Sequence, residues 1–168
     1  MTCTRNITIL VDPEKCTGCR LCEMACSMVH HGILSPDRAR IRVLRFEGGG
    51  SNVPLVCQAC EDAPCIKTCP MNARRRLGNH AVVTEEERCI GCRACVYICP
   101  IGAPVVNPES GKTMTCDLCA EEGTQPWCVK ACRDYGALKA VDSGKTAARK
   151  SRDSAAQAKA AYKPGKKV

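Results

Sequence analysis

Sixteen cysteines in four sets of four constrain this 168-residue chain more than anything else in it. The first set is Cys16, Cys19, Cys22 and Cys26, in CTGCRLCEMAC. The second is Cys57, Cys60, Cys65 and Cys69, in CQACEDAPCIKTCP. The third is Cys89, Cys92, Cys95 and Cys99, in CIGCRACVYICP, and the fourth is Cys116, Cys119, Cys128 and Cys132, in CDLCAEEGTQPWCVKAC. A seventeenth cysteine, Cys3, stands apart and reads as a free N-terminal thiol. Repetition on this scale is the organising fact of the fold.

Cysteine-rich chains are held together by disulfides, zinc or iron–sulfur clusters. Here something must replace an ordinary core, because the chain has one Phe, one Trp and three Tyr. Aromatic side chains normally supply much of the buried area. Disulfides belong to oxidising compartments. The N-terminus MTCTRNITILVDPEKC has neither a sustained apolar run nor a twin-arginine pair, so the expected setting is the reducing cytoplasm. Export bound to a partner that carries a signal is the exception to that expectation. No stretch approaches the ~20 apolar residues needed to cross a bilayer, so direct membrane insertion is not expected.

The spacing separates iron–sulfur from zinc. In C-x2-C-x2-C-x3-C-P, three close cysteines wrap one face of a cubane, and the fourth points away; in two-cluster ferredoxins it ligates the other cluster. The third set matches through Pro100. The first keeps the spacing but has Ser27 in place of proline. The second has Pro70 and four residues between its second and third cysteines; the fourth has the insertion Ala120 to Trp127 and then Arg133. Structural zinc takes two ligand pairs from separate knuckles and has no use for a third cysteine two residues on. Four sets predict iron–sulfur clusters, with a zinc-binding interaction module as the rival.

Short β-type runs at Ile7–Val11, Ile41–Phe46 and Ala81–Thr84 flank the sets, and Gly48 to Asn52 reads as a loop or hinge. Small-residue turns follow the fourth cysteines at Pro70 to Ala73 and Pro100 to Ala103, with a looser echo from Arg133 to Ala137. Helical periodicity is scarce, so short helices and loops are expected. Ile90, Val96, Ile98, Ile101 and Val129 are expected to pack against the clusters, and Trp127 beside Cys128.

The formal charge of +8 resembles a nucleic-acid footprint only until it is divided. Residues 1–138 hold 16 basic and 15 acidic side chains, while 139–168 hold 9 basic and 2 acidic. A cubane of charge about +2 held by four thiolates carries roughly −2, so four bring the sum near neutrality. Nucleic acid is not an expected partner. The Ala/Lys-rich tail reads as a frayed solvated helix or disorder, or else as a basic arm for an acidic partner.

At this point the residues resemble a family: the iron–sulfur electron-transfer subunits of the dimethyl-sulfoxide-reductase type, which accompany molybdenum and tungsten enzymes. The resemblance spans about residues 5–140 and rests most on CEDAPCIKTCP, on CPIGAPVVNPESGKTMTCDLC, and on Gly123 with Pro126-Trp127-Cys128. It implies nested pairing. One cluster takes Cys16, Cys19, Cys22 and Cys132; its neighbour takes Cys26, Cys116, Cys119 and Cys128. The inner two take Cys57, Cys60, Cys65 and Cys99, and Cys69, Cys89, Cys92 and Cys95. No cysteine is replaced, so the expectation is four [4Fe–4S] clusters.

The implied fold is α+β and ferredoxin-like, built as two interleaved bicluster modules. The outer module takes residues 1–52 and 108–142, the inner takes 53–107, and 143–168 form the tail. With every iron held by cysteine there is no open coordination site, so no catalysis is expected. His30, His31 and His80 are the three histidines, and the His-His pair reads as a polar loop or helix end; no phosphate loop or nucleophile motif is present. Arg74-Arg75-Arg76 reads as a solvated charge run that could face an acidic partner. The implied function is a polyferredoxin that wires a larger redox subunit to another donor or acceptor. The favoured subunit is a tungsten- or molybdenum-pterin enzyme such as an aldehyde oxidoreductase or formate dehydrogenase. A flavin subunit or a ferredoxin would complete the circuit. The alternative is self-association into a conductive, structural iron–sulfur scaffold.

Overall fold

The computed structural model describes residues 6–46, 50–121 and 125–142. Cys3, Gly48, Gly49, Gly123 and the tail from Ser143 lie outside the described residues. Among the described residues, four two-stranded antiparallel sheets and four α-helices surround the cysteine loops.

The ends of the described chain meet first. Strand β1 (Ile7–Val11) pairs with β8 (Leu138–Asp142), with Ile9 opposite Ala140 and Val11 opposite Leu138. Ile9 and Leu138 are buried together in the main core. β2 (Arg42–Phe46) pairs with β3 (Ser51–Leu55), so Ser51 and Asn52 belong to a strand rather than to the expected loop. The ladder runs on to Phe46 opposite Ser51. β4 (Arg74–Arg76) pairs with β5 (Val82–Thr84), and β6 (Val105–Val106) with β7 (Thr113–Met114).

Helix α1 (Leu21–His31) is longer than the sequence reading anticipates. It starts inside the first cysteine set and ends at Gly32, whose φ of 69° and N–H bond to the Met28 carbonyl (2.8 Å) form a left-handed cap. His30 and His31 occupy its last turn. α1 packs on α4 (Trp127–Ala131), while α2 (Pro64–Lys67) meets α3 (Ala94–Tyr97).

Two cores result. The larger gathers Ile9, Ile41, Val56, Leu118, Val129 and Leu138 with Cys22, Cys26, Cys116 and Cys128. The smaller holds Ala63, Val82, Cys65 and Cys95. Cysteine takes the place that aromatic rings hold in other cores. Val129 is buried and Val96 packs on the smaller core, but Ile90 is 63% exposed and Ile98 46%. Ile98 is a correction to the packing expectation, whereas Ile90, though mostly exposed, lines the cavity of Cys69, Cys89, Cys92 and Cys95. α3 lasts one turn, and among the described residues Tyr97 at its end and Ile98 just after it stay exposed.

The arginine run is also corrected. Alternation along β4 puts Arg74 on one face and Arg75 on the other. Arg74 is buried and donates to Thr84 Oγ1 (2.9 Å) and Thr115 Oγ1 (3.2 Å). Arg75 pairs with Glu85 at 2.6 Å, and Arg76 donates to the carbonyls of Cys60, Glu61 and His80. The run is therefore stitched into the fold.

Candidate metal centres

Each cysteine loop must turn its backbone inward, and the chain does so with left-handed residues. In the first loop Gly18 and Arg20 have φ of 70° and 62°; in the third, Gly91 and Arg93 have 69° and 62°. Ala59 and Ala63 do this in the second loop, Leu118 and Cys119 in the fourth. Within and beyond these turns, backbone N–H groups point at sulfur. The Leu118 N–H donates to Cys116 Sγ (3.4 Å), Ala73 N–H to Cys69 Sγ (3.3 Å), Ala103 N–H to Cys99 Sγ (3.4 Å) and Arg40 N–H to Cys26 Sγ (3.3 Å).

Glycine is required at two of these turns. At Gly18 a Cβ would stand 2.5 Å from Asn52 Oδ1, because Asn52 leans on the loop and donates to the Cys16 carbonyl (3.2 Å). At Gly91 a Cβ would stand 2.9 Å from the Gly111 carbonyl oxygen.

The loops enclose sulfur-lined cavities. Cys16, Cys19, Cys22 and Cys132 line one, walled by Val43, Pro54 and Leu138. Cys57, Cys60, Cys65 and Cys99 line a second, with Ile101 and Thr115. Cys69, Cys89, Cys92 and Cys95 line a third, with Ile90 and Thr113. The last four cysteines, Cys26, Cys116, Cys119 and Cys128, are all buried, and the charges of Cys26 and Cys119 bear on Cys128. Cys19, Cys60 and Cys92 are exposed, one at each of the three cavities.

Burial governs the thiols. It pushes Cys22 up to about 12, with the charge of Glu23 adding to it. Burial likewise lifts Cys57 and Cys119 to about 11, and Cys116 and Cys128 well above the ordinary range. Cys89 goes the other way: burial opposes it, but the N–H groups of Thr113 and Gly91 and the Thr113 hydroxyl together hold the thiolate. Most of these groups keep a proton at neutral pH unless a cation displaces it, as a metal site requires. Four sulfurs around a shared cavity, with N–H donors directed at them, fit a polynuclear cluster. A single zinc ion would draw four sulfurs to about 2.3 Å from one point.

Sequence reasoning missed several residues here. Thr113 in β7 is buried, and the Cys95 thiol donates to its Oγ1 (3.4 Å) with Cys89 Sγ at 3.8 Å. His30 Nε2 lies 3.9 Å from Cys119 Sγ and 3.5 Å from Asp117 Oδ1, and Asp117 also accepts from Arg40 Nη1 (2.5 Å). A signal for His30 existed: Cys22, Cys26 and His30 recur every four residues, one face of α1. Glu23 is buried beside Cys22 and accepts from Arg20 Nε and from the Val43 N–H, both at 2.6 Å. Trp127 opens α4 with Lys130 Nζ 4.2 Å from its ring centre.

Comparison with known proteins agrees with this chemistry. A 4Fe-4S dicluster domain model matches residues 50–142, and a 4Fe-4S binding domain model matches residues 8–33. The aliphatic sulfonate oxidoreductase, polyferredoxin-like subunit of Pyrococcus furiosus is 46% identical over 141 residues, covering 81% of this chain and 78% of that protein. A subunit of the anaerobic dimethyl sulfoxide reductase of Escherichia coli is 35% identical over 158 residues, covering 84% and 74%. Electron transport protein HydN of Escherichia coli is 36% identical over 160 residues, covering 83% and 90%.

Proposed function

The chain belongs to the 4Fe-4S dicluster family of ferredoxin-type subunits, and from that premise we propose that it is a four-cluster electron relay inside a larger oxidoreductase. Its membership makes it an iron–sulfur protein carrying [4Fe–4S] clusters, and the zinc-module alternative gives way. The coarse role is that of an electron-transfer subunit akin to subunits of oxidoreductase complexes.

In the reading we propose, the ligands are Cys16, Cys19, Cys22 and Cys132; Cys26, Cys116, Cys119 and Cys128; Cys57, Cys60, Cys65 and Cys99; and Cys69, Cys89, Cys92 and Cys95. The observation that carries it is the gathering of three of these quartets around separate cavities, with the remaining four cysteines buried together. In each group one cysteine comes from a different set than most of its companions, which knits outer to outer and inner to inner. The outer module then comprises the first and fourth sets and the inner module the second and third. β3 and the β6–β7 hairpin span the limits drawn between them at residues 52/53 and 107/108.

A bound cluster supplies one-electron chemistry. The chain's residues hold the sulfurs and direct N–H groups at them, and four cysteines at each centre leave no coordination site for substrate. The partner we favour is a tungsten- or molybdenum-pterin catalytic subunit, with aldehyde oxidoreductase the first candidate and a flavin subunit or ferredoxin at the other end. Support comes from relatives named as subunits of a sulfonate oxidoreductase and of dimethyl sulfoxide reductase. We place the complex in the reducing cytoplasm; among the described residues no helix is long and apolar enough to cross a membrane.

The test is metal and sulfide analysis of the chain purified anaerobically with whatever binds it. About sixteen irons and sixteen sulfides per chain are expected, four for each cubane, together with tungsten or molybdenum in the co-purified subunit. Zinc without sulfide would overturn the cluster reading. A full iron complement on a chain whose partner holds neither metal would overturn the partner assignment alone.

A further inference from the structure

The two inner cavities share one wall residue that no ligand pattern picks out. Arg74 lines both the Cys57/Cys60/Cys65/Cys99 cavity and the Cys69/Cys89/Cys92/Cys95 cavity. It is only 3% exposed. Its Nη atoms donate to the hydroxyls of Thr84 and Thr115, and its Nε is buried without a hydrogen-bond partner. Among the described residues it forms no ion pair with a carboxylate, whereas Arg20 pairs with Glu23 and Arg40 with Asp117 beside the outer cysteines. A buried guanidinium is tolerated only where negative charge meets it. Hydroxyl oxygens supply dipoles, not charge. A cubane held by four thiolates is an anion of roughly two charges, and here one cation stands at the wall of two such sites.

We propose that Arg74 is the shared counter-charge of the inner pair, a tuning residue that raises the reduction potentials of both centres together. Each added electron makes a centre more negative, so a fixed cation between the two favours the reduced state of both. It also offsets the repulsion that the first electron imposes on the second. The outer centres, whose neighbouring arginines are already neutralised by Glu23 and Asp117, lack this bias. The inner pair thus forms the electron sink of the relay. This inference rests on the ligand assignment proposed above.

The experiment is an anaerobic redox titration followed by electron paramagnetic resonance, with iron and sulfide measured on every sample. It compares wild type, Arg74→Gln and Arg74→Lys. Wild-type protein short of four clusters would overturn the ligand assignment before any variant is considered. Given four clusters, Arg74→Gln is expected to shift two of the four midpoint potentials downward together. The other two stay in place, and Arg74→Lys stays near wild type. A shift of none, of one, or of all four alike overturns the proposal, as does an equal shift in Arg74→Lys. Should Arg74→Gln lose iron, a loss of about half, two clusters of four, supports the shared-charge role, and loss of the whole complement overturns it.

Discussion

Gly91 offers a way to weigh backbone strain against steric contact at a cysteine loop. Three glycines form a graded series. Gly78 has an ordinary φ and nothing within 4 Å of where a Cβ would stand; Gly32 has φ +69° and open space; Gly91 has φ +69° and the Gly111 carbonyl oxygen at 2.9 Å. Gly78→Ala is expected to be neutral within about 0.5 kcal/mol, as surface substitutions are. Gly32→Ala carries only the left-handed penalty, about 1–2 kcal/mol. Gly91→Ala carries the same penalty plus displacement of a backbone carbonyl, another ~1–3 kcal/mol by analogy with overpacked sites, for a total of about 2–5 kcal/mol. Cluster loss makes unfolding irreversible, so the assay is a rate: bleaching of the cluster absorbance in fixed guanidinium under anaerobic conditions. If the strain is fully relieved in the transition state, Gly91→Ala bleaches from about thirtyfold to a few thousandfold faster than wild type. Gly32→Ala shows about five- to thirtyfold on the same scale. Equal rates for Gly91→Ala and Gly32→Ala would refute the steric part of the reasoning. A Gly32→Ala rate equal to that of Gly78→Ala would refute the strain part.

Three further outcomes are expected. Thr113→Val removes the hydroxyl between Cys89 and Cys95, so one midpoint potential should fall while the other three hold; a redox titration reads this directly. Glu23→Ala strips a buried carboxylate from Arg20 and from the Val43 N–H, and should cost about 2–3 kcal/mol, discounted because Arg20 is 44% exposed; faster bleaching in guanidinium measures it. Removal of iron should abolish most circular dichroism and cooperative melting, because few large apolar side chains stand beside the cysteines in the core. Any fold that survives should weaken with alkali. Cys22 at about 12 and Cys57 at about 11 lie above the ordinary 9.0, so the neutral thiols favour the fold below pH about 9, and that contribution is lost as pH rises through 11 and 12.

What is legible in the sequence is local. The cysteine spacing is set by how far a few residues reach around a cubane, so the sets can be read without knowing where they meet. Ile7–Val11 is visible as a strand because its alternation needs only its own residues, yet its partner Leu138–Asp142 lies at the far end of the described chain. α1 escapes a sequence reading because its cysteines interrupt the apolar stripe that marks a helix, and it is those cysteines that occupy the inward face. Arg74 to Arg76 looks like a solvated run because burial of an arginine depends on what stands opposite. Thr84 and Thr115, ten and 41 residues away, are invisible to a local window. Thr113 and His30 escape for the same reason: each acts on a sulfur supplied by a distant segment.

Among the described strands the first pairs with the last, and that sets an order on biosynthesis. Every cysteine lining the two inner cavities has left the ribosome once residue 99 emerges, and the Thr113 and Thr115 walls follow soon after. The cavity of Cys16, Cys19 and Cys22 must wait for Cys132, and β1 for residues 138–142. During that wait the first loop is an open three-thiol claw on a tethered arm, and closure of so long a loop is slow. On the proposed ligand assignment, a truncation before Cys132 is expected to keep the inner centres and lose the first outer one, which iron analysis of the truncated chain would read.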